Sequence, residues 1–242
     1  MANGTKETWA AFRGASKAIY SRAQNLSATL IISPGQPYHE TDKFEATIKL
    51  LNRTQFKSIL ILVGDTNYRI TLPCYESISP ETAHAKAKQV GTSWLDRNID
   101  HIKTLEIPYK IIRWDKVLSM PKLQEFIKEI KFELSQNPAF KNEFLSSANE
   151  FVDRGKNNQI CSDEEAIHLS LEYLIEESAA IIPLWNQLHG DMIYIYPQKI
   201  LNALQATFIH FFGDTRILNW FSLRFSTKYR VLRDKEIEVA NA

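Results

Sequence analysis

The sequence predicts an α/β fold in which helices cover both faces of a parallel sheet. Short, nearly uninterrupted apolar runs alternate with segments of helical periodicity, in the order strand, helix, strand, helix, strand. Strands that read as continuous apolar runs are typical of parallel sheets buried on both faces. The 242 residues include 44% apolar and 24% charged residues, the balance of an ordinary globular protein, so we expect one domain over residues 1–242.

The first half of the chain contains three of the predicted strands. The run from Ala28 to Ile32 predicts a buried strand that ends in a turn at Ser33-Pro34-Gly35. Helical spacing of apolar residues then predicts a helix over 42–51. Further along, the pattern predicts a strand at 58–63, a helix that Pro80 opens and that runs to Lys103, and a strand at 110–114.

The second half is predicted to be mostly helical at first. Apolar stripes indicate helices from Pro121 to Glu177, interrupted by a loop at 155–160. Ser162 and Glu165 match a capping box at the start of the last of these helices. After it we expect a short strand at 192–196, a helix at 198–211 and a late strand at 223–232.

Charge and cysteine content narrow the class of protein. The net charge of +1 neither announces nor excludes a nucleic-acid partner, so an RNA ligand would need a local basic patch. Cys74 and Cys161 have no CxxC or histidine companion spacing, which argues against a disulfide framework and a zinc site and favours reduced thiols in the cytoplasm. No apolar stretch is long enough for a membrane span or a signal sequence, so we expect no membrane association.

Ser33 is the first candidate for chemistry. It follows a buried strand, and ligands of parallel α/β sheets bind beyond the carboxyl ends of the strands. Gly35, two residues later, permits a tight turn that exposes a hydroxyl nucleophile and backbone N–H donors. The alternative is a turn serine that satisfies its own loop, which spacing alone favours. The segment matches only half of a G-x-S-x-G nucleophile elbow, and no histidine occupies a diagnostic setting for a hydrolase triad.

Two further groups of residues are candidates. Tyr173 and Glu177 are four residues apart and therefore share one helix face, where a carboxylate beside a phenol suits an ammonium group and proton transfer. The alternative is a solvated glutamate next to an interfacial tyrosine. Tyr196 and Pro197 follow a short strand that points to the same sheet edge, although alone the pair is merely a turn.

Taken together, these pieces resemble the cyclodipeptide synthases. The family's first signature is an apolar strand ending in the nucleophilic serine, seen here in residues 29–36, and its second is Tyr-aliphatic-x-x-Glu, seen in residues 173–177. Tyr196-Pro197 resembles the subgroup whose third tyrosine precedes proline, and Gln36 agrees, because the other subgroup has asparagine there. In order and spacing, the resemblance extends from about residue 27 to about residue 211.

The resemblance implies both a fold and a mechanism. The fold would be a Rossmann-like sheet similar to the catalytic domain of class I aminoacyl-tRNA synthetases. Ser33 would take an aminoacyl group from one charged tRNA, and the amine of a second would attack the resulting ester. A cyclic dipeptide would then leave, with a dipeptidyl-enzyme favoured over a dipeptidyl-tRNA as the intermediate. Tyr173 and Glu177 would hold the first ammonium group, with Glu177 and Tyr196 transferring protons. An aminoacyl ester is already activated, so we expect no cofactor or metal.

Specificity and tRNA binding are also implied by the resemblance. Ile31 replaces a family glycine and should fill part of the first aminoacyl pocket, which favours a small first residue such as glycine or alanine; Ser27 and Ala179 also depart from the family pattern. The partners would be two aminoacyl-tRNAs, bound by a monomer. Further substrate contacts are expected at Gly35, Gln36, Leu62 and Pro197, and tRNA contacts at Lys86, Lys88 and Arg97, with 122–131 and 224–233 as rival basic segments.

Two rival functions stay open from the sequence. A serine acyltransferase or hydrolase acting on another activated ester would cleave esters without tRNA. A catalytically silent tRNA-binding module would bind tRNA and form no covalent adduct.

Overall fold

The computed structural model describes residues 4–13, 23–190 and 192–231. Its strands form one mixed sheet of six, in the order β1-β6-β5-β2-β3-β4. Four of the pairings are parallel, and β1 with β6 is antiparallel. The strands are β1 (Gly4–Phe12), β2 (Ser27–Ile32), β3 (Ser58–Val63), β4 (Tyr109–Arg113), β5 (Ile193–Tyr196) and β6 (Trp220–Val231).

Two of the longer helices begin at serine caps. Ser79 Oγ accepts the N–H of Thr82 just before Pro80, and Ser162 Oγ accepts the N–H of Glu165, which confirms the predicted N-cap. The α-helices are α1 (Thr41–Thr54), α2 (Pro80–Lys103), α3 (Trp114–Leu118), α4 (Pro121–Gln136), α5 (Pro138–Gly155), α6 (Asp163–Ala179), α7 (Trp185–His189) and α8 (Asn202–Phe212), with a π-helical turn at Ala180–Leu184 between α6 and α7.

The sheet separates two hydrophobic cores. Successive side chains of a strand point to opposite faces, so Leu30 and Ile32 pack with α1 and α2 on one side, while Ile31 packs with α4, α5, α6 and α8 on the other. All three side chains are at most 4% exposed. Burial on both faces explains why β2 reads as a continuous apolar run.

The chain changes direction across the sheet at β2. From β2 it proceeds through β3 to β4 on one side, and it later returns to place β5 and β6 on the other side. Leu30 is paired with Ile195, so β2 and β5 end at the same edge. A crevice at the carboxyl edge of such a switch point is the usual ligand site of an open α/β sheet.

The structure corrects several predicted elements. The sheet is mixed and not purely parallel, because β1 adds an antiparallel edge strand whose half-polar sequence hid it. Trp114 begins α3 and does not end β4. The helix expected from Gln198 begins only at Asn202, since residues 197–201 form an irregular connection after Tyr196-Pro197. The end of the predicted late strand, Leu232, lies outside the described residues.

The prediction of reduced thiols is wrong. Cys74 and Cys161 form a disulfide with their Cα atoms 4.9 Å apart. Spacing rules recognise cysteines that are close in sequence, whereas the fold brings together this pair from 87 residues apart. The N–H of Ile160 also donates to the Cys74 carbonyl at 2.8 Å, so two loops at the carboxyl edge of the sheet are tied together.

No helix in the described part of the chain is long and apolar enough to cross a membrane. Within the same residues, no group of three or more His, Cys, Asp or Glu side chains is placed to hold a metal ion.

Reduction of the disulfide should destabilise the protein. Closing a loop of this length restricts the unfolded chain, so dithiothreitol should reduce the free energy of unfolding by about 2–4 kcal/mol and the Tm by about 5–10 °C. Thermal unfolding with and without reductant measures this, and Cys161→Ser is the control whose Tm should not respond to reductant. A wild-type Tm that is equally insensitive, together with two thiols that react in the unreduced protein, would contradict the disulfide.

Candidate active site

A cavity of about 710 Å³ opens at the carboxyl edge of the sheet. The end of β2 supplies Ser33, the end of β5 supplies Tyr196, and α6 supplies Tyr173 and Glu177. The structure therefore brings together all four residues expected to take part in catalysis. A cavity of this size holds a ligand of several tens of atoms.

A chain of hydrogen-bonded hydroxyl groups links Ser33 to two tyrosines that also line the cavity. Ser33 Oγ lies 3.1 Å from the hydroxyl of Tyr196, which lies 2.9 Å from the hydroxyl of Tyr38. Burial raises the pKa of Tyr196 well above its ordinary value and also raises that of Tyr38, so both phenols keep their protons. Ser33 thus contacts a group that can accept one proton while donating another. The sequence placed the segment from Ser33 to Tyr38 at the mouth of the expected site but gave Tyr38 no role, because no spacing rule links it to Tyr196.

The two carboxylate oxygens of Glu177 differ in their hydrogen bonding. Its Oε1 accepts a hydrogen bond from the Tyr173 hydroxyl at 3.2 Å, and its Oε2 is buried without a partner among the described residues. Burial raises the pKa of Glu177 to about 7, against the lowering effects of the Tyr173 hydrogen bond and the Arg154 charge. Burial likewise raises the pKa of Tyr173 well above 10. An ammonium group bound here would satisfy the free oxygen and return the carboxylate to its charged form.

The neighbouring Glu176, in contrast, has hydrogen-bond partners for both carboxylate oxygens. Glu176 is buried, and its carboxylate accepts two hydrogen bonds from Arg69, at 2.9 and 2.6 Å, and one from Trp114 Nε1 at 2.8 Å. Consecutive residues of a helix point about 100° apart, so this anchored side chain fixes the rotation of α6. That rotation directs Glu177 into the cavity.

The turn after Ser33 has few free backbone donors. The Ser33 N–H donates to His39 Nδ1 at 2.9 Å, and the Gln36 N–H donates to the Ser33 carbonyl at 3.2 Å. Pro34 has no N–H. Gly35, with φ of +84° and open space where a Cβ would lie, lines the cavity and offers the remaining N–H of this turn.

The other expected substrate contacts are only partly brought to the cavity. Ile31, Gly35 and Gln36 line it. Leu62 is fully buried beside Ile31 in the adjacent strand, and neither it nor Pro197 is among the lining residues, so their contact with substrate stays a prediction.

The expected tRNA contacts lie on α2 and are each paired with a carboxylate. Lys86 contacts Glu76 at 2.6 Å. The other two pairs are Lys88 with Asp115 at 3.0 Å and Arg97 with Glu40 at 2.9 Å. The positive charge of this helix face is therefore locally compensated, and its role in binding tRNA stays a prediction.

Sequence reasoning missed two cations at the cavity, Arg154 and Lys199. The guanidinium of Arg154 lies 4.7 Å from the Phe151 ring centre and donates to Gln198 Oε1 at 3.3 Å. No motif marks Arg154, which reaches the site only because α5 ends beside α6.

Comparison with solved structures identifies the family. A cyclodipeptide synthase from Fluoribacter dumoffii is 30% identical, with a TM-score of 0.84 over 93% of this chain and 100% of that one. The chain belongs to the cyclodipeptide synthase family. This confirms the resemblance drawn from the three motifs, whereas membership of the Tyr-Pro subgroup stays a prediction. Neither a scan of protein-family models nor a search of curated proteins found a match.

More distant structures share the fold. A cyclodipeptide synthase from Candidatus Glomeribacter gigasporarum bound to Phe-tRNA is 18% identical, with a TM-score of 0.60 over 84% of this chain and 89% of that one. Tyrosyl-tRNA synthetase from Archaeoglobus fulgidus is 11% identical, with a TM-score of 0.50 over 86% of this chain and 56% of that one. The Rossmann-like fold expected from the resemblance is thus confirmed.

The raised pKa of Glu177 predicts how the stability of the fold depends on pH. A carboxyl whose pKa is higher in the folded than in the unfolded protein stabilises the fold at low pH and loses that contribution as pH rises from about 4.5 through 7. Glu177→Gln should therefore be more stable than the wild type at pH 8, by about 2–3 kcal/mol, and similar to it at pH 4.5. Thermal unfolding at both pH values measures this. The exposed Glu143→Gln is the matched control, and equal Tm values for wild type and Glu177→Gln at pH 8 would contradict the buried charge.

Proposed function

We propose that this cyclodipeptide synthase family member takes aminoacyl groups from two charged tRNAs and joins them into a diketopiperazine through an ester on Ser33. The observation that carries the proposal is the meeting of two groups in one cavity: a serine hydroxyl hydrogen-bonded to a phenol, and a buried carboxylate with a free oxygen. The first suits attack on an ester, and the second suits the ammonium of the same aminoacyl group.

In the first step, Ser33 Oγ attacks the ester carbonyl of an aminoacyl-tRNA. A new C–O bond forms to the serine, and the bond to the ribose oxygen breaks. The serine proton passes to the Tyr196 oxygen as the Tyr196 proton moves to the departing ribose oxygen, so the phenol ends the step unchanged. The developing oxyanion is stabilised by the Gly35 N–H, the free donor of the turn.

The remaining steps join the two aminoacyl groups and close the ring, and Glu177 acts on the amine of the first residue. The carboxylate binds the α-ammonium of the first aminoacyl group, with the Tyr173 hydroxyl holding its other oxygen. The amine of the second aminoacyl-tRNA attacks the seryl ester: an amide bond forms, the bond to Ser33 Oγ breaks, and a proton of the amine passes through Tyr196 to Ser33 Oγ. Ser33 Oγ then attacks the ester of the dipeptidyl-tRNA, and the second tRNA leaves with the serine proton on its ribose oxygen. The ammonium of the first residue gives a proton to Glu177, and the resulting amine attacks the dipeptidyl ester on Ser33. The second amide bond forms, the ester bond breaks, and a second proton of that nitrogen passes to Ser33 Oγ. Ring closure is intramolecular and needs no further encounter.

The charged tRNAs are the proposed partners, as the bound Phe-tRNA of the Candidatus Glomeribacter gigasporarum synthase supports. We assign tRNA contacts to Lys86, Lys88 and Arg97, whose carboxylate partners phosphates would have to replace. The protein acts as a monomer in the cytoplasm, where charged tRNA is made. Disulfides are uncommon in that compartment. The Cys74–Cys161 disulfide is therefore unusual for a cytoplasmic protein, and reduced cysteines in the cell would agree with this localisation.

Ser33→Ala should abolish the covalent intermediate. Wild-type protein mixed with tRNAs charged with each standard amino acid in turn should gain the mass of one aminoacyl group on Ser33, and bacteria expressing it should release diketopiperazines. The variant should show neither, a loss of at least about 10³-fold in turnover. Intact-protein and product mass spectrometry measure both, with Ser119→Ala as an exposed control. Ester cleavage without tRNA would support a hydrolase, and tRNA binding without an adduct would support a silent module.

Ile31→Gly should broaden the choice of the first amino acid. Ile31 lines the cavity where the family usually has glycine, so it restricts the first aminoacyl group to a small side chain. Removing it should add larger residues to the products, with about a tenfold gain for a residue one or two methylenes larger. Product profiles from expressing bacteria measure this, and Ile31→Leu is the volume-matched control. A wild-type product with a bulky aromatic first residue would overturn the assignment.

A further inference from the structure

We propose that His39 is a positioning residue for the nucleophile: its imidazole holds the Ser33 backbone through Nδ1 and packs against the tyrosine that hydrogen-bonds the serine hydroxyl. This inference rests on the proposed function. His39 does not line the cavity and is 1% exposed, so its contribution passes through Ser33 and Tyr196 and not through contact with substrate.

The hydrogen bond with Ser33 requires one form of the imidazole. The Ser33 N–H lies 2.9 Å from His39 Nδ1, and an amide nitrogen is always a donor, so Nδ1 must be unprotonated. The Ser33 carbonyl is farther from the same nitrogen, at 3.3 Å, and already accepts the Gln36 N–H. The ring is therefore neutral with its proton on Nε2. Burial supports the neutral ring, since it lowers the pKa of His39 to about 3 against the raising effect of the hydrogen bond with the Ser33 backbone, and the Ser33 N–H then selects the tautomer.

The same ring fixes the phenols next to the nucleophile. Its centre lies 5.5 Å from that of Tyr196 and 4.8 Å from that of Tyr38, both in edge-to-face packing. These are the two tyrosines of the hydroxyl chain that begins at Ser33 Oγ. One side chain thus sets both the backbone of the nucleophile and the position of its hydrogen-bond partner.

The backbone of His39 is anchored to α2. Its carbonyl accepts a hydrogen bond from Trp94 Nε1 at 2.8 Å, and Trp94 is fully buried on α2 against Phe44, with ring centres 5.1 Å apart. The residue ends the 3₁₀ turn Pro37–His39, and only Glu40 separates it from α1. Because the backbone of His39 is anchored to α2, the position of its imidazole relative to Ser33 is fixed.

A purely structural role would be served better by an apolar side chain. His39 Nε2 is buried and has no partner among the described residues, and an unsatisfied buried donor destabilises a protein. A leucine would pack in the same space without that penalty. The bond from Ser33 to Nδ1 is the interaction that a leucine could not replace.

Three substitutions separate positioning from packing. Asparagine places its amide oxygen close to the position of Nδ1, glutamine places its amide closer to the position of Nε2, and leucine has no acceptor. We expect His39→Leu and His39→Gln to slow acylation of Ser33 by about 10- to 100-fold, as a displaced nucleophile would. His39→Asn should restore the rate to within about fivefold of the wild type.

The rate is measured in a single turnover, with the charged tRNA that acylates the wild type fastest. The tRNA concentration giving half the maximal rate should stay within about twofold in all variants, since His39 does not touch the substrate. Acylation of His39→Leu at the wild-type rate would overturn the proposal, as would a His39→Asn variant as slow as His39→Leu. A wild type that forms no adduct overturns the proposed function instead.

Nitrogen NMR of histidine-labelled wild-type protein tests the bond without any variant and without substrate. The expected signature is one imidazole whose Nδ1 is unprotonated and hydrogen-bonded, whose Nε2 carries the proton, and which does not titrate between pH 5 and 8. If the imidazole assigned by comparison with His39→Asn is protonated at Nδ1 or titrates in that range, the proposal is wrong even if the enzyme is active.

Discussion

The pairing of β2 with β5 is the constraint on which the site depends. These strands are distant in sequence, and their parallel register, in which Leu30 is paired with Ile195, brings Tyr196 level with Ile31, two residues before Ser33 and on the same face of the sheet. The hydrogen bond between Ser33 and Tyr196 follows from that register. A shift of one residue would turn Tyr196 to the other face of the sheet, because strand side chains alternate, and would leave Ser33 without its phenol.

Two consecutive glutamates on α6 differ in role because their carboxylates have different hydrogen-bond partners. Glu176 and Glu177 are both removed from water, but Glu176 meets a guanidinium and an indole N–H, whereas Glu177 keeps one oxygen free. The satisfied carboxylate orients α6, and the unsatisfied one faces the cavity. A buried carboxyl with a missing partner is unfavourable for stability, and that deficit is what a bound ammonium would remove.

The part of the cavity wall that includes Tyr68 and Tyr75 is built from loops and is held by cross-links. Arg69 ties the 3₁₀ turn after β3 to α6, and the disulfide ties the following turn to the loop before α6. Tyr68 and Tyr75, which line the cavity, lie in the segment held by these links. An irregular wall can therefore keep a defined shape although few of its backbone groups belong to regular structure.

The sequence by itself determined the order of the elements from β2 to β4, most of the helices, and the candidates Ser33, Tyr173, Glu177 and Tyr196, because buried strands and helix faces leave periodic apolar patterns and the three motifs keep their spacing. Only the tertiary structure decided that Cys74 meets Cys161, that His39 contacts Ser33 and Tyr38 contacts Tyr196, that Arg154 reaches the cavity, and that the expected tRNA-binding cations of α2 are paired. Each of these depends on contact between segments far apart in the chain or on the exact course of a turn, and neither leaves a periodic pattern in the sequence.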